Sequence, residues 1–385
     1  MKMRQSSEKN WPLGGSERTS HWGMHSQQRG AVGTAFVGTF CAWVGLLTLA
    51  ACGPLGGVEG DGAFAGAGGQ AAASAGAGNG ASAGAVVLPD PPAFKVVGYE
   101  PQWASSLAGL QIDKLDYVNF AFVLEAPDGS VAAPAPAKML VDLVSAGHAV
   151  GTRVLLSVGG WNNGNDSAFE TLAANADARA KFASTLDGYV DQFQLDGVDI
   201  DWEFPGAASA NNFTAMIREL SAKLKPKGKL VTIAGAAFSD GAAGVTAEAL
   251  AYIDLVNIMA YDGDPGAGHS PYAFAQSSLQ LWLGKGLPAS KAMLGVPFYS
   301  QPSYKTYSEL IAKDPANANL DQVDVADTSG TVKRQYYNGI PTIQAKTALA
   351  MSSAGGIMAW DLSQDSHTVD LSLLSAIYSK SHPGL

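Results

Sequence analysis

Residues 195–205 read Leu-Asp-Gly-Val-Asp-Ile-Asp-Trp-Glu-Phe-Pro. Val198, Ile200 and Trp202 alternate with Asp199, Asp201 and Glu203. Alternate residues of an extended strand share a face, so one face is apolar and the other carries three carboxylates in a row. Like charges repel and their burial without partners is costly, so no fold needs such a row for stability. Three carboxyls in a confined site cannot all ionise. At least one pKa rises and a proton is shared. The result is an acid still protonated near neutral pH, which glycosidic bond cleavage requires. Glu203, last in the row and longest in stem, is the candidate proton donor. The alternatives are a carboxylate metal site and a solvated edge strand. No histidine lies nearby in sequence, and the Val-Ile-Trp face argues against an edge.

The acidic run is the fourth of eight short apolar runs: Lys95–Tyr99, Tyr117–Val123, Arg153–Val158, Gly197–Asp201, Leu230–Ala234, Leu255–Ala260, Met293–Phe298 and Gly356–Trp360. The segments between them are long enough for crossover helices. One, Ala178–Phe193, spaces Phe182, Leu186, Val190 and Phe193 as one helical face. Eight such repeats predict an α/β fold, a single (β/α)8 barrel of parallel strands over residues 93–385. An open doubly wound sheet is disfavoured, because no Gly-rich phosphate fingerprint opens the first unit. In a barrel the chemistry sits at the C-terminal strand ends. The runs deliver Tyr99, Gly159, Gly160, Trp161, the acids, Tyr261, Asp262, Tyr299 and Trp360 to that mouth. Aromatic faces stack on sugar rings, so Trp360 is read as a floor, with Trp161, Trp103, Tyr99 and Tyr299 as neighbouring platforms. Asp262 is read as tuning Asp201 or holding a sugar hydroxyl. Asp361 and Asp365 fit simple loop acids. Asp196, followed by Gly197, suits an ordinary turn as well as a catalytic role.

The pattern Asp196-x-x-Asp199-x-Asp201-x-Glu203 resembles the signature of glycoside hydrolase family 18, the chitinase family, with all four acidic positions filled. Ser157-x-Gly159-Gly160, Met259-x-Tyr261-Asp262 and Trp360 resemble the family's motifs on the third, sixth and eighth strands. The resemblance spans residues 94–381. It implies retaining hydrolysis of β-1,4-linked N-acetylglucosamine polymers, assisted by the substrate's own acetamide. In the roles it implies, Glu203 protonates the glycosidic oxygen and later activates water. Asp201 accepts from the acetamide N–H. Asp199 pairs with Asp201 and holds its proton. Tyr261 donates to the acetamide oxygen. Trp360, Tyr99, Trp161, Asp262, Tyr299 and Gly160 are the implied substrate-binding set. No metal and no organic cofactor is implied. Residues 299–354 look too short for a full insertion domain plus a crossover helix, which favours an open, endo-type cleft. Two rivals share the fold. One is an endo-β-N-acetylglucosaminidase acting on N-glycans. The other is a non-catalytic chitin-binding lectin, which the retained Glu203 disfavours.

Composition divides the chain of 385 residues. The first 51 hold five Lys/Arg against two Asp/Glu, so within a net charge of −10 the remainder carries −13. That excess of acid argues against nucleic acid as partner. The apolar run 31–51, preceded by Arg18 and Arg29, has a signal-peptide layout, with Met24 the more ordinary start. Leu49-Ala50-Ala51-Cys52 resembles a bacterial lipobox, which implies acylation of Cys52 and a tether to the cell envelope. An uncleaved membrane anchor or ordinary cleavage and secretion are the alternatives. Residues 52–92 are rich in Gly, Ala and Ser and read as a flexible linker. The two cysteines, Cys41 and Cys52, both precede the barrel, so it is expected to hold no disulfide. A monomer is the default expectation.

Overall fold

The computed structural model describes residues 93–384 apart from residue 105. The residues read as signal peptide, lipidation site (Cys52) and linker therefore lie outside the described residues. Strands β1 (Lys95–Pro101), β2 (Tyr117–Val123), β3 (Arg153–Gly159), β4 (Gly197–Asp201), β5 (Leu230–Gly235), β6 (Leu255–Ile258) and β7 (Ala292–Pro297) are followed by a hairpin, β8 (Gln322–Ala326) and β9 (Val332–Tyr336), and by β10 (Gly356–Trp360). The eight long-range strands close a parallel barrel in the order β1-β10-β7-β6-β5-β4-β3-β2. The barrel expected from the eight runs is the observed fold, with strand ends moved by one or two residues.

Helices α1 (Ala137–Val150), α2 (Ser167–Ala174), α3 (Ala176–Phe193), α4 (Ala210–Leu224), α5 (Ala247–Tyr252) and α6 (Tyr272–Gly284) are followed by α7 (Tyr307–Lys313), α8 (Ile340–Ser353) and α9 (Leu373–Ser381). Helix α3 shows how the sequence sets these elements. Asn175 caps it by accepting from Ala178 N–H, and Gln194 ends it in the left-handed region at φ 56°. Phe182, Leu186 and Val190 are its buried stripe, as the spacing predicts. Two apolar layers result. Outward strand residues such as Val198 and Ile200 pack with the helices. The barrel interior holds Val97, Tyr99, Leu155, Tyr261, Met293 and Met358.

Period-two alternation then fixes the catalytic strand. Val198 and Ile200 face the helices, so Asp199 and Asp201 must face the lumen. Trp202 keeps the outward phase beyond the strand end. It is buried, stacks on Phe169 at 5.1 Å and donates its indole N–H to Asp166. Between β7 and β10 the chain holds α7, the antiparallel β8–β9 hairpin and α8. That is one short helix and one hairpin beside the crossover helix, in keeping with the short insertion expected there.

Candidate active site

Asp199 lies at the bottom of the acidic row and is fully buried. Four donors converge on its two oxygens. Tyr99 OH and Ser157 Oγ donate to Oδ2, each at 2.8 Å. Thr232 Oγ1 donates to Oδ1 at 2.5 Å, and Asn257 Nδ2 at 3.2 Å. Burial pushes this carboxyl up, and the four hydrogen bonds pull it back towards the charged form. The expected pairing of Asp199 with Asp201 is therefore corrected. The oxygens of Asp199 accept from neutral donors on β1, β3, β5 and β6, and the hydrogen bond of Asp201 is to Glu203.

Asp201 hydrogen-bonds Glu203, while its own Oδ1 is buried with no partner. Burial, then the charges of Glu203 and Asp199, hold Asp201 well above the usual carboxylate range. Glu203 follows the strand, partly exposed at the barrel mouth. Burial, then the charge of Asp262, pushes it up to about 8, against the hydrogen bond from Asp201. The row thus holds three carboxyls raised by burial: Asp199 at depth with four hydrogen-bond donors, Asp201 above it and Glu203 at the rim. Glycines let the backbone wrap this end. Gly160 N–H donates to Asp201 O at 2.8 Å. Gly159 and Gly160 have φ of 107° and 94°, and a Cβ on Gly159 would lie 2.3 Å from Asp201 O.

Asp262 follows β6 in the left-handed region, at φ 57°. Tyr299 OH donates to Oδ2 at 2.5 Å and Gln301 Nε2 to Oδ1 at 2.8 Å. His269 Nδ1 lies 3.1 Å from Oδ1. Asp262 was expected to tune Asp201 or hold a sugar. Its charge acts on Glu203, and its oxygens accept from Tyr299 and Gln301. Tyr261, just before it, is buried and meets Tyr299 edge-on.

The aromatic expectations divide. Trp360 ends β10, partly exposed, stacked on Phe122 at 5.5 Å with 23° between planes. Tyr99 and Trp103 meet its edge at 5.5 and 6.4 Å, and Trp103 is 60% exposed. Trp161 stays partly exposed after β3, with a buried indole nitrogen that lacks a partner. Tyr99 and Tyr299 are corrected: both are buried, and their hydroxyls hold Asp199 and Asp262 rather than sugars. Asp196 takes the structural reading. At the opposite end of β4 it accepts from Val154 N–H and pairs with His148 at 2.8 Å. Asp361 and Asp365 are buried loop acids satisfied by nearby Ser, Gln and backbone donors.

Phe122, Thr232, Asn257, His269 and Gln301 were not singled out from the sequence. Thr232 and Asn257 did leave a trace, as polar residues at inward positions of otherwise apolar runs. Phe122 reads as core, and nothing local marks His269 or Gln301.

Residues 95–365 match the family model described as glycosyl hydrolases family 18. Chitotriosidase-1 of Mus musculus is 31% identical over 180 residues, covering 39% of this chain and 39% of that protein. Chitinase A1 of Niallia circulans is 26% identical over 300 residues, covering 54% and 43%. The chain thus spans about two fifths of the length of these curated relatives. Among solved structures, a GH18 chitinase from the chitin utilization locus of Flavobacterium johnsoniae superposes with a TM-score of 0.66 at 28% identity, covering 74% of this chain and 93% of that one.

Proposed function

The chain belongs to glycosyl hydrolases family 18, and from that premise we propose that it hydrolyses β-1,4-linked N-acetylglucosamine polymers, chitin or its oligosaccharides. The observation that carries this reading is the Asp201–Glu203 pair at the barrel mouth, where burial and the charge of Asp262 raise Glu203 and favour its acid form. The chitinase names of the matched relatives support it.

In the proposed reaction Glu203 gives its proton to the glycosidic oxygen as the anomeric C–O bond breaks. The acetamide carbonyl oxygen of the same sugar closes on the anomeric carbon and forms an oxazolinium ion. Asp201 is the acceptor for the acetamide N–H, through the oxygen that has no protein partner. Asp199, whose four donors favour its charged form against burial, lies beneath the positive charge that develops. Tyr261 directs its hydroxyl at the acetamide oxygen. Trp360, braced by Phe122, floors the sugar. Water then opens the ion with Glu203 as base, and configuration is retained. The single hairpin beside β7 supports an open cleft and endo-type cleavage.

We further propose that the protein acts as a monomer, exported and tethered to the bacterial envelope through a lipid on Cys52. Fatty-acid labelling of wild type and Cys52→Ala tests the tether, and equal labelling would remove it. For the activity, the full chain is incubated with chitin hexasaccharide and, separately, with an N-glycosylated protein, and products are read by mass spectrometry. Short N-acetylglucosamine oligomers from the first alone support a chitinase. Glycan released from the second alone moves the assignment to an endo-β-N-acetylglucosaminidase. Binding without turnover points to a lectin.

A further inference from the structure

His269 lies in the loop after β6 and is 1% exposed. Its Nδ1 faces two groups of a single residue: the backbone N–H of Asp262 at 3.2 Å and the carboxylate Oδ1 of Asp262 at 3.1 Å. Its Nε2 faces the carbonyl oxygen of Tyr299 at 3.3 Å. A carbonyl only accepts, so Nε2 carries a hydrogen in both charge states of the ring. The charge states therefore differ only at Nδ1. In the neutral ring Nδ1 accepts from Asp262 N–H, and its lone pair opposes Oδ1. In the cation Nδ1–H donates to Oδ1 and neutralises that carboxylate. Either state keeps both ring nitrogens engaged without movement of the ring.

The surroundings make this arrangement matter. Tyr299 and Gln301 are neutral donors to Asp262, so neither offsets its charge. Asp264 shares the loop, with Gly266 and Gly268 N–H donated to it. Tyr299 meets the His269 ring at 5.0 Å and in turn stacks on Tyr304. Lys346 of α8 approaches from behind but spends its ammonium on Ser270 O, Ser270 Oγ and Asn338 Oδ1. Ser270 Oγ also donates to Ala260 O, so the residue next to His269 is tied to the end of β6. Across Asp262 stands Glu203.

We propose that His269 is a positioning residue of this site: it fixes the Asp262 carboxylate and, by its own protonation, sets how much negative charge faces Glu203 and the cation that develops beside it. The proposal rests on the hydrolytic reading above. When His269 is neutral, the charge of Asp262 is uncompensated. It then supports both the proton on Glu203 and the positive charge forming at the anomeric carbon. Once His269 is protonated, that support is cancelled and turnover falls. Protonation of His269 therefore acts against turnover, and so does deprotonation of Glu203 at the basic end.

The test is the pH profile of kcat/KM on chitin hexasaccharide, from about pH 4 to about pH 9, for wild type and His269→Gln. The amide keeps a hydrogen-bonding group beside Asp262 and cannot become charged. The expected result is an acid limb moved about one unit lower, with the basic limb in place. One unit below the wild-type midpoint, the variant would keep about a fivefold larger fraction of its own maximum. Profiles that superpose after scaling would overturn the proposal, because a merely structural role lowers activity evenly at every pH. An NMR titration of the imidazoles stands independent of turnover and of variant folding. A His269 midpoint that matches the acid limb, and that Asp262→Asn moves, is the expected result. One indifferent to Asp262→Asn would overturn the proposal. A wild type inert on chitin, with that imidazole coupling intact, would remove the hydrolytic reading and leave the His269–Asp262 coupling standing.

Discussion

Asp201 and Glu203 are hydrogen-bonded to each other at the end of β4, and Asp201 Oδ1 is left buried without a partner. An unpaired buried acceptor costs stability, on the order of 1–3 kcal/mol. In the proposed reaction the acetamide N–H of the substrate satisfies it. Glu203 holds the transferable proton of the pair. Glu203→Gln keeps the shape and loses that proton. Its kcat is expected to fall about a hundred- to ten-thousand-fold on chitin hexasaccharide, with KM little changed. Full turnover in this variant would sink the assignment of the acid.

The charge of Asp262 is the second cause, after burial, that raises Glu203 to about 8. Removing a like charge makes the carboxylate easier to form, so the pKa of Glu203 falls. Asp262→Asn should therefore draw the basic limb of kcat/KM down by about one unit. Activity at pH 8 is expected to drop relative to pH 6. A basic limb that stays in place would show that burial alone sets the acidity of Glu203.

The sequence pattern carried the barrel and its acidic strand because both depend on a period of two. Once Val198 and Ile200 must meet the helices, Asp199 and Asp201 have only the lumen to face. Depth along the barrel has no such signature. Tyr99 and Tyr299 share composition and strand-end position with Trp360, yet they sit low enough for their hydroxyls to reach Asp199 and Asp262. His269 and Gln301 come from separate loops after β6 and β7. Their convergence on Asp262 depends on the loop paths, including the pairing of Gln301 with Tyr336 at the hairpin. No local pattern encodes that meeting.

Several carboxyls are raised together by burial: Glu100 and Glu203 to about 8, Glu125 to about 7 and Asp361 to about 6. The native state binds their protons more tightly than the unfolded chain does. Their stabilisation is complete below the unfolded carboxyl pKa, about 4, and is lost as pH rises through about 6 to about 8. Lys346, lowered to about 7 by burial, acts in the opposite sense and adds stability only from about pH 7 upward. Thermal denaturation should show Tm falling between about pH 5 and about pH 7. Glu100→Gln, remote from the proposed proton transfer, should flatten that slope. A Tm that climbs across this range would contradict the direction of these shifts.

Tyr99→Phe separates the two roles open to an aromatic residue at the end of β1. A sugar platform depends on the ring, which Phe retains, so neither stability nor turnover would change. The observed contact is the hydroxyl, which donates to Asp199 Oδ2 at 2.8 Å and accepts from Asn257 Nδ2 at 3.1 Å. Its loss removes one of four donors from a buried carboxylate. A hydrogen bond to a charged group is worth about 1.5–3 kcal/mol, and urea denaturation should register a loss of that order. With one donor gone, Asp199 ionises less readily and offers less negative charge beneath the developing cation. Turnover should therefore fall, by about tenfold if about 1.4 kcal/mol of that loss reaches the transition state. KM should stay near wild type, because the ring still lies under the site. Unchanged stability and turnover in Tyr99→Phe would return Tyr99 to the substrate-binding set.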